Sequence, residues 1–320
     1  MRLLQLDDKG ECGLVEFVGN DIPRYAILSH TWGVDGDEVT FQDLMNSRGN
    51  DKPGYSKVRF CIEQAAKDCL PFSWIDTCCI DKSSSAELQE AINSMFRWYQ
   101  NAERCYAYLS DVSRNSSDVD DPDSSRWKPA FRNSRWSRRG WTLQELIAPA
   151  LVEFFSREGE YLGNKISMQQ TIQEITGIAI DALQGKPLSQ FSADERFLWT
   201  RKRTTKLVED EVYCLLGIFG IYMPLIYGEG RNHAMTRLKE LIKARSKDHT
   251  LSLSDEHKQK LLDSLRFDQM DIRQMTVRNA HAKTCKWLLR IPKYLDWLDM
   301  SKQNEHHGFL WIKGVRMWHE

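Results

Sequence analysis

Apolar positions in the first half of the chain fall into short continuous runs, separated by stretches with helical spacing. Tyr25–His30 (YAILSH) is nearly all apolar, which predicts a strand buried on both faces. Tyr55–Cys69 places Val58, Cys61, Ile62, Ala65 and Ala66 on one face of a 3.6-residue period and predicts a helix. Pro71–Asp76 (PFSWID) predicts the next strand. In the segment that follows, Ser84 precedes Glu87 by three positions, a capping-box signal. Leu88, Ala91, Ile92, Met95, Phe96 and Tyr99 then form one apolar stripe of a strong helix. Cys105–Ser110 and Leu151–Ser156 predict two further strands, with a helix beginning near Trp141 between them. Alternating strands and helices predict an α/β domain of flavodoxin-like type, a parallel sheet with helices on both faces. Ligands of such sheets bind at the C-terminal strand ends. Here those ends carry Ser29-His30-Thr31-Trp32-Gly33, Asp76-Thr77-Cys78 and Ser110-Asp111. Glu145 lies in the helix after the third strand, where a carboxylate can face the same crevice.

From about Lys165 the strand pattern gives way to helical segments, which predicts an all-α region packed on the sheet. The polar stretch at 112–125 has neither period and reads as an exposed loop. Val212–Gly228 is the longest apolar stretch, but Gly217, Gly220 and Pro224 interrupt it and Glu209, Asp210 and Glu211 precede it. A buried core helix is expected there, not a membrane span. A linker near Lys247–Thr250 precedes a further helical segment.

Charge narrows the function classes. The 44 basic and 45 acidic residues leave a formal net charge of −1, so nothing global points to nucleic acid or a membrane surface. The start of the chain lacks the basic region and long apolar run of a secretory leader. None of the eight cysteines forms a C-x-x-C pair, and most sit in apolar patterns. Free thiols in a reducing compartment, a cytoplasmic location and no metal site are the expectations.

The three blocks YAILSHTWG (25–33), FSWIDTCCIDKSSSAELQEAINSMFRWYQNAERCYAYLSDV (72–112) and RGWTLQELIAP (139–149) closely resemble the fungal heterokaryon incompatibility, or HET, domain. The resemblance implies a HET domain at 1–160, a helical extension at 161–247, and at 248–320 a helical linker with the first strand of a truncated NACHT module. That last part is similar to the connector before the NACHT domain of HET–NACHT–WD-repeat incompatibility proteins. Its phosphate loop does not follow HGFLWIKG here, so no nucleotide-triphosphate hydrolysis is expected. The resemblance implies a cell-death effector of fungal non-self recognition, self-associating through its HET domain and working with full-length NACHT receptors. A HET domain is in turn similar to TIR domains, and SRWSRRGWTLQEL parallels the plant TIR pattern S-x-W-C-x-x-E-L. The TIR glutamate that cleaves NAD falls on Glu145, while Thr142 stands where the pattern has cysteine. Asp81 and Lys82 fall in the segment similar to the TIR loop that gates self-association.

Cleavage of the nicotinamide–ribose bond passes through an oxocarbenium-like sugar, which a fixed carboxylate stabilises. On that reading Glu145 is catalytic and NAD is substrate, with no resident cofactor. Ser29, His30, Trp32, Asp76, Arg138, Arg139 and Trp141 bind the substrate: Trp32 holds a flat ring and the two arginines meet the pyrophosphate. Each residue also has a purely structural role open to it. Glu145 is then a solvated helix residue, Trp141 a packing residue, Asp76 a loop cap, and His30 a strand-end hydrogen-bonding group. Ser29 then bonds local backbone, and Arg138 and Arg139 are surface charge. Two other functions stay open: a non-catalytic association module, and a truncated decoy of a NACHT receptor.

Overall fold

The computed structural model describes residues 1–6, 12–19, 21–114 and 125–250. Most of the expected polar loop, the connector and strand similar to the NACHT proteins, and Cys285 lie outside the described residues. The chain divides into two units, Met1–Lys247 and Asp248–Glu320, and the described residues fall almost wholly in the first.

The sheet has seven strands: β1 (Arg2–Leu6), β2 (Cys12–Glu16), β3 (Tyr25–His30), β4 (Phe72–Trp74), β5 (Arg104–Tyr108), β6 (Val152–Phe155) and β7 (Tyr161–Asn164), in the order β2-β1-β4-β3-β5-β6-β7. β4, β3, β5 and β6 run parallel and are the four strands expected from the sequence. Their order, second-first-third-fourth along the chain, is the doubly wound flavodoxin arrangement. Both edges differ from the all-parallel expectation. β1 pairs antiparallel with β2 and β4, and β7 pairs antiparallel with β6. Antiparallel neighbours need only short connections, so these edge strands arise from local hairpins without a crossover helix.

The helices of the domain are α1 (Phe41–Met45), α2 (Tyr55–Lys67), α3 (Ser85–Asn101), α4 (Lys128–Asn133), α5 (Arg135–Arg138) and α6 (Thr142–Ile147). Strand period sends Tyr106 and Tyr108 to one face, where Phe60 of α2 packs on both rings and on Phe155. Cys105 and Ala107 face the other way, toward α6, and the Cys105 thiol reaches the Glu145 carbonyl. Every residue of β3 is buried, which is why its sequence lacks alternation. Ser84 caps α3 by accepting from the Glu87 N–H. The reciprocal arm of the expected box is missing, because the Glu87 carboxylate accepts from Asp81 N–H and pairs with Arg2.

Beyond β7 the described chain is helical. The apolar stretch after Glu209 is not one helix: Asp210–Tyr213 and Leu216–Phe219 are separate single turns, the second closed by Gly220 at φ 61°. A left-handed residue at that position ends a helix at little cost only if it is glycine. Gly217 lies against Phe96, leaving no room for a Cβ, so the second turn packs directly on α3. Among the described residues, no helix is long and apolar enough to cross a membrane. Cys61, Cys78, Cys79, Cys105 and Cys214 are buried free thiols, whereas Cys69 is exposed.

Candidate functional site

Period two along β3 separates its last two side chains. Ser29, in register with Ala107, turns toward α6, and His30, in register with Tyr108, turns to the opposite side. The Ser29 hydroxyl donates to Glu145 Oε2 at 2.5 Å and accepts from Trp136 Nε1 at 2.7 Å. Its proton and one lone pair are therefore both used by side chains, not by local backbone. Trp136 is itself fixed edge-on against Phe154 of β6. These contacts hold the carboxyl of Glu145 in place from below. Glu145 is 6% exposed, so it is not a solvated helix residue. Burial pushes its carboxyl up to about 8. The Ser29 bond opposes the rise, the negative charge of Asp76 adds to it, and Arg139 and Arg203 oppose it.

The other corner of the site is built around Asp76. Its Oδ1 lies 3.0 Å from His30 Nε2, and its Oδ2 accepts from Trp32 Nε1 at 2.9 Å. Asp76 thus orients two cleft side chains. Burial alone would raise its pKa, but the Lys82 charge, the His30 bond and Arg139 hold it well below the usual carboxylate range. An ionised carboxylate only accepts, so Nε2 carries the His30 proton. His30 Nδ1 is buried without a partner. The Lys82 ammonium sits 3.7 Å from the Trp32 ring centroid, and the Arg139 guanidinium carbon lies 5.3 Å from it.

Both corners open on one cleft of about 300 Å³. His30, Trp32, Asp76, Arg139, Trp141 and Glu145 all line it, and Ser29 sits directly behind Glu145. Arg138 stands apart: it is exposed and lines a neighbouring cavity instead. Trp141 is half-buried and donates to Asp210 Oδ2 at 3.2 Å, so it joins the α6 start to the later helices.

The far wall comes from residues after β7. Arg139 and Thr204 form a parallel bridge in which Gly140 N–H donates to Thr204 O at 2.9 Å and Thr204 N–H donates to Arg138 O at 2.7 Å. Gly140 lies so close to Thr205 that a Cβ would collide with it. Arg203, 8% exposed, donates to Arg139 O at 2.8 Å and to Thr142 Oγ1 at 2.7 Å at the first turn of α6. Thr205, Lys206, Leu207, Asp210 and Tyr227 then complete the lining. Lys82, Trp136, Arg203 and Asp210 were not singled out as site residues from the sequence. Trp136 carries a signal in retrospect, since it stands beside the arginines of the α6 entry. Lys82 follows Asp76 by six positions, in the segment similar to the TIR loop, whereas Arg203 and Asp210 are joined to the site by long-range contacts that no local pattern reports. Among the described residues, no group of three or more His, Cys, Asp or Glu is placed to hold a metal ion.

The order of sequence blocks in this α/β domain has a counterpart in a known family. Residues 25–127 match the model of the heterokaryon incompatibility protein (HET) family, and the chain carries a HET domain. Over 243 residues, 76% of this chain, it is 54% identical to vegetative incompatibility protein HET-E-1 of Podospora anserina. The aligned part is 18% of that relative, so the chain spans less than a fifth of its length. No solved structure matches the chain. Glu145 and the 203–210 wall both lie beyond the segment that the family model covers.

Proposed function

We propose that this chain acts in heterokaryon incompatibility and that its HET domain is a TIR-like NAD glycohydrolase, working in the cytoplasm and triggering cell death on self-association. The observation that carries the reading is the Glu145 carboxyl, buried yet lining a cleft with an aromatic face at Trp32 and cations at Lys82 and Arg139. The identity to an incompatibility protein supports the biological setting.

In the resting protein near pH 7 the Glu145 carboxyl is mostly protonated, because its pKa lies near 8. The nicotinamide ring of NAD is a cation. Seated beside Glu145, it favours the carboxylate and releases that proton. The ribose C1′–N bond then breaks, its electron pair leaving with neutral nicotinamide. The sugar becomes an oxocarbenium ion that the new carboxylate stabilises. Water adds to C1′ and loses a proton to solvent while the Glu145 carboxylate takes one up again, yielding ADP-ribose, nicotinamide and one net proton.

The test follows nicotinamide release from NAD by the full chain at high protein concentration, with and without Glu145→Gln. Turnover lost in a folded variant is the expected result, and equal turnover by the two proteins overturns the reading. Leu207 and Tyr227 at the cleft mouth, with Val208 next to Leu207 in sequence, are exposed apolar residues, which favours a second reading: association without catalysis. That reading expects toxicity in fungal cells to survive Glu145→Gln and to fail when these side chains are made charged.

A further inference from the structure

Arg138, set apart from the cleft, belongs to a second cavity of about 370 Å³. Its charged lining residues are Arg135, Arg138, Arg139 and Lys206, all cations, with no carboxylate among the lining side chains. Thr31, Thr204 and Thr205 add hydroxyl groups. The cavity adjoins the Glu145 cleft: Trp32, Arg139, Thr205 and Lys206 line both. Arg139 is the joint between them. Its guanidinium stacks on Trp32 and its charge acts on both Asp76 and Glu145.

We propose that this basin binds the diphosphate of a pyridine dinucleotide whose nicotinamide end occupies the Glu145 cleft. The inference deepens the NAD reading and rests on it. A diphosphate carries dispersed negative charge on several oxygens, and arginine forks bind such oxygens in pairs. The cations are available for this. Lys206 is paired with Asp35 at 2.5 Å and Arg135 with Asp111 at 3.7 Å, but both cations are largely exposed, so these pairs contribute little. Arg138 has only a 3.5 Å contact to Asn133. Arg203 supplies an independent sign of unmet charge. It is nine-tenths buried next to the Arg139 backbone, and its Nε and Nη2 have no hydrogen-bond partner. Burial lowers its pKa to about 10, which still leaves it charged at neutral pH. An anion in the basin would reduce the mutual repulsion of these cations. A substrate without phosphate would reach Glu145 but gain nothing from the basin.

The test uses the full chain and inorganic pyrophosphate as probe, with binding followed by calorimetry. The variant is Arg135→Gln with Arg138→Gln; both side chains are exposed and neither lines the Glu145 cleft, and an unchanged melting temperature verifies the fold. Wild type is expected to bind pyrophosphate, and the double variant to lose about tenfold or more in affinity. The same variant should lower kcat/KM for NAD while leaving that for nicotinamide riboside unchanged. No binding by wild type, equal binding by the variant, or sulfate binding as tight as pyrophosphate overturns the proposal. The two ideas fail separately. Nicotinamide release that depends on Glu145 but ignores pyrophosphate removes the basin alone. Pyrophosphate binding with turnover indifferent to Glu145→Gln removes the catalytic reading, and the dinucleotide assignment with it.

Discussion

Two carboxyl groups share one cleft and are held in opposite states. Asp76 has two side-chain donors and lies among Lys82, His30 and Arg139, so it stays ionised. Glu145 has one hydroxyl donor and lies deeper, so burial prevails and its pKa rises to about 8. Arg139 acts on both, so the contrast does not come from that cation. It comes from the Lys82 charge beside Asp76, the second side-chain donor that Asp76 has, and the greater depth of Glu145. Divergent ionisation of neighbouring acids is a common way to divide roles in an active site. Here Asp76 is a fixed anchor for His30 and Trp32, and Glu145 is the carboxyl that would change its charge in the proposed NAD cleavage.

The strongest challenge to this contrast is Glu145→Gln. It keeps an acceptor for Ser29 and removes the ionisable group, so nicotinamide release should fall by about 10²–10³-fold while the circular dichroism spectrum is retained. The pH profile comes next. Only the carboxylate stabilises the oxocarbenium ion, and the folded pKa is raised, so activity must climb as pH rises. kcat/KM should increase about tenfold per unit below pH 8 and level off above it. A profile flat from pH 6 to about 9 would show that Glu145 does not set the rate.

Asp76→Ala tests the anchor. It leaves the donors of His30 and Trp32 without a partner, and urea unfolding should reveal a loss of about 2–3 kcal/mol. Glu145→Gln should show the reverse trend in stability. A carboxyl with folded pKa about 8, raised from 4.5, contributes stability that is fully present at low pH and lost as pH rises through 8. The wild-type melting temperature should therefore decline relative to the variant's between about pH 5 and pH 9. The smallest expected effect is that of Ser29→Ala. Removing the bond that favours the charged form should move the activity midpoint to higher pH, by under about one unit.

The parallel centre of the sheet was legible because burial on both faces writes a continuous apolar run, as in YAILSH. The α3 stripe was equally clear. The β1–β2 hairpin was not, since its strands are short, half exposed and set at the edge, where the pattern of burial is weak. At the site, strand-end residues could be found because topology alone puts Ser29, His30, Trp32 and Asp76 together. Arg138 and Arg139 are adjacent in sequence, yet only Arg139 also reaches the Glu145 cleft, as the bridge to Thr204 turns one outward and leaves the other at the joint. Such a divergence depends on a partner segment some sixty residues on, the Arg203–Thr142 bond spanning 61 positions, and local sequence carries no record of it.

The Arg139–Thr204 bridge also bears on how such a domain can be inherited. Glu145 comes from one side of residue 160 and the opposing wall from 203–210, and Gly140 is the close contact that fits them together. A recombination event that joined the first 160 residues to another gene would carry the carboxyl without its wall. One that exchanged only the later helices would face Gly140 with a foreign surface. The segment able to move between genes with its cleft intact is the whole stretch from the first strand through the helices after Asp210. Natural chimaeras of this domain should therefore have their breakpoints outside that stretch.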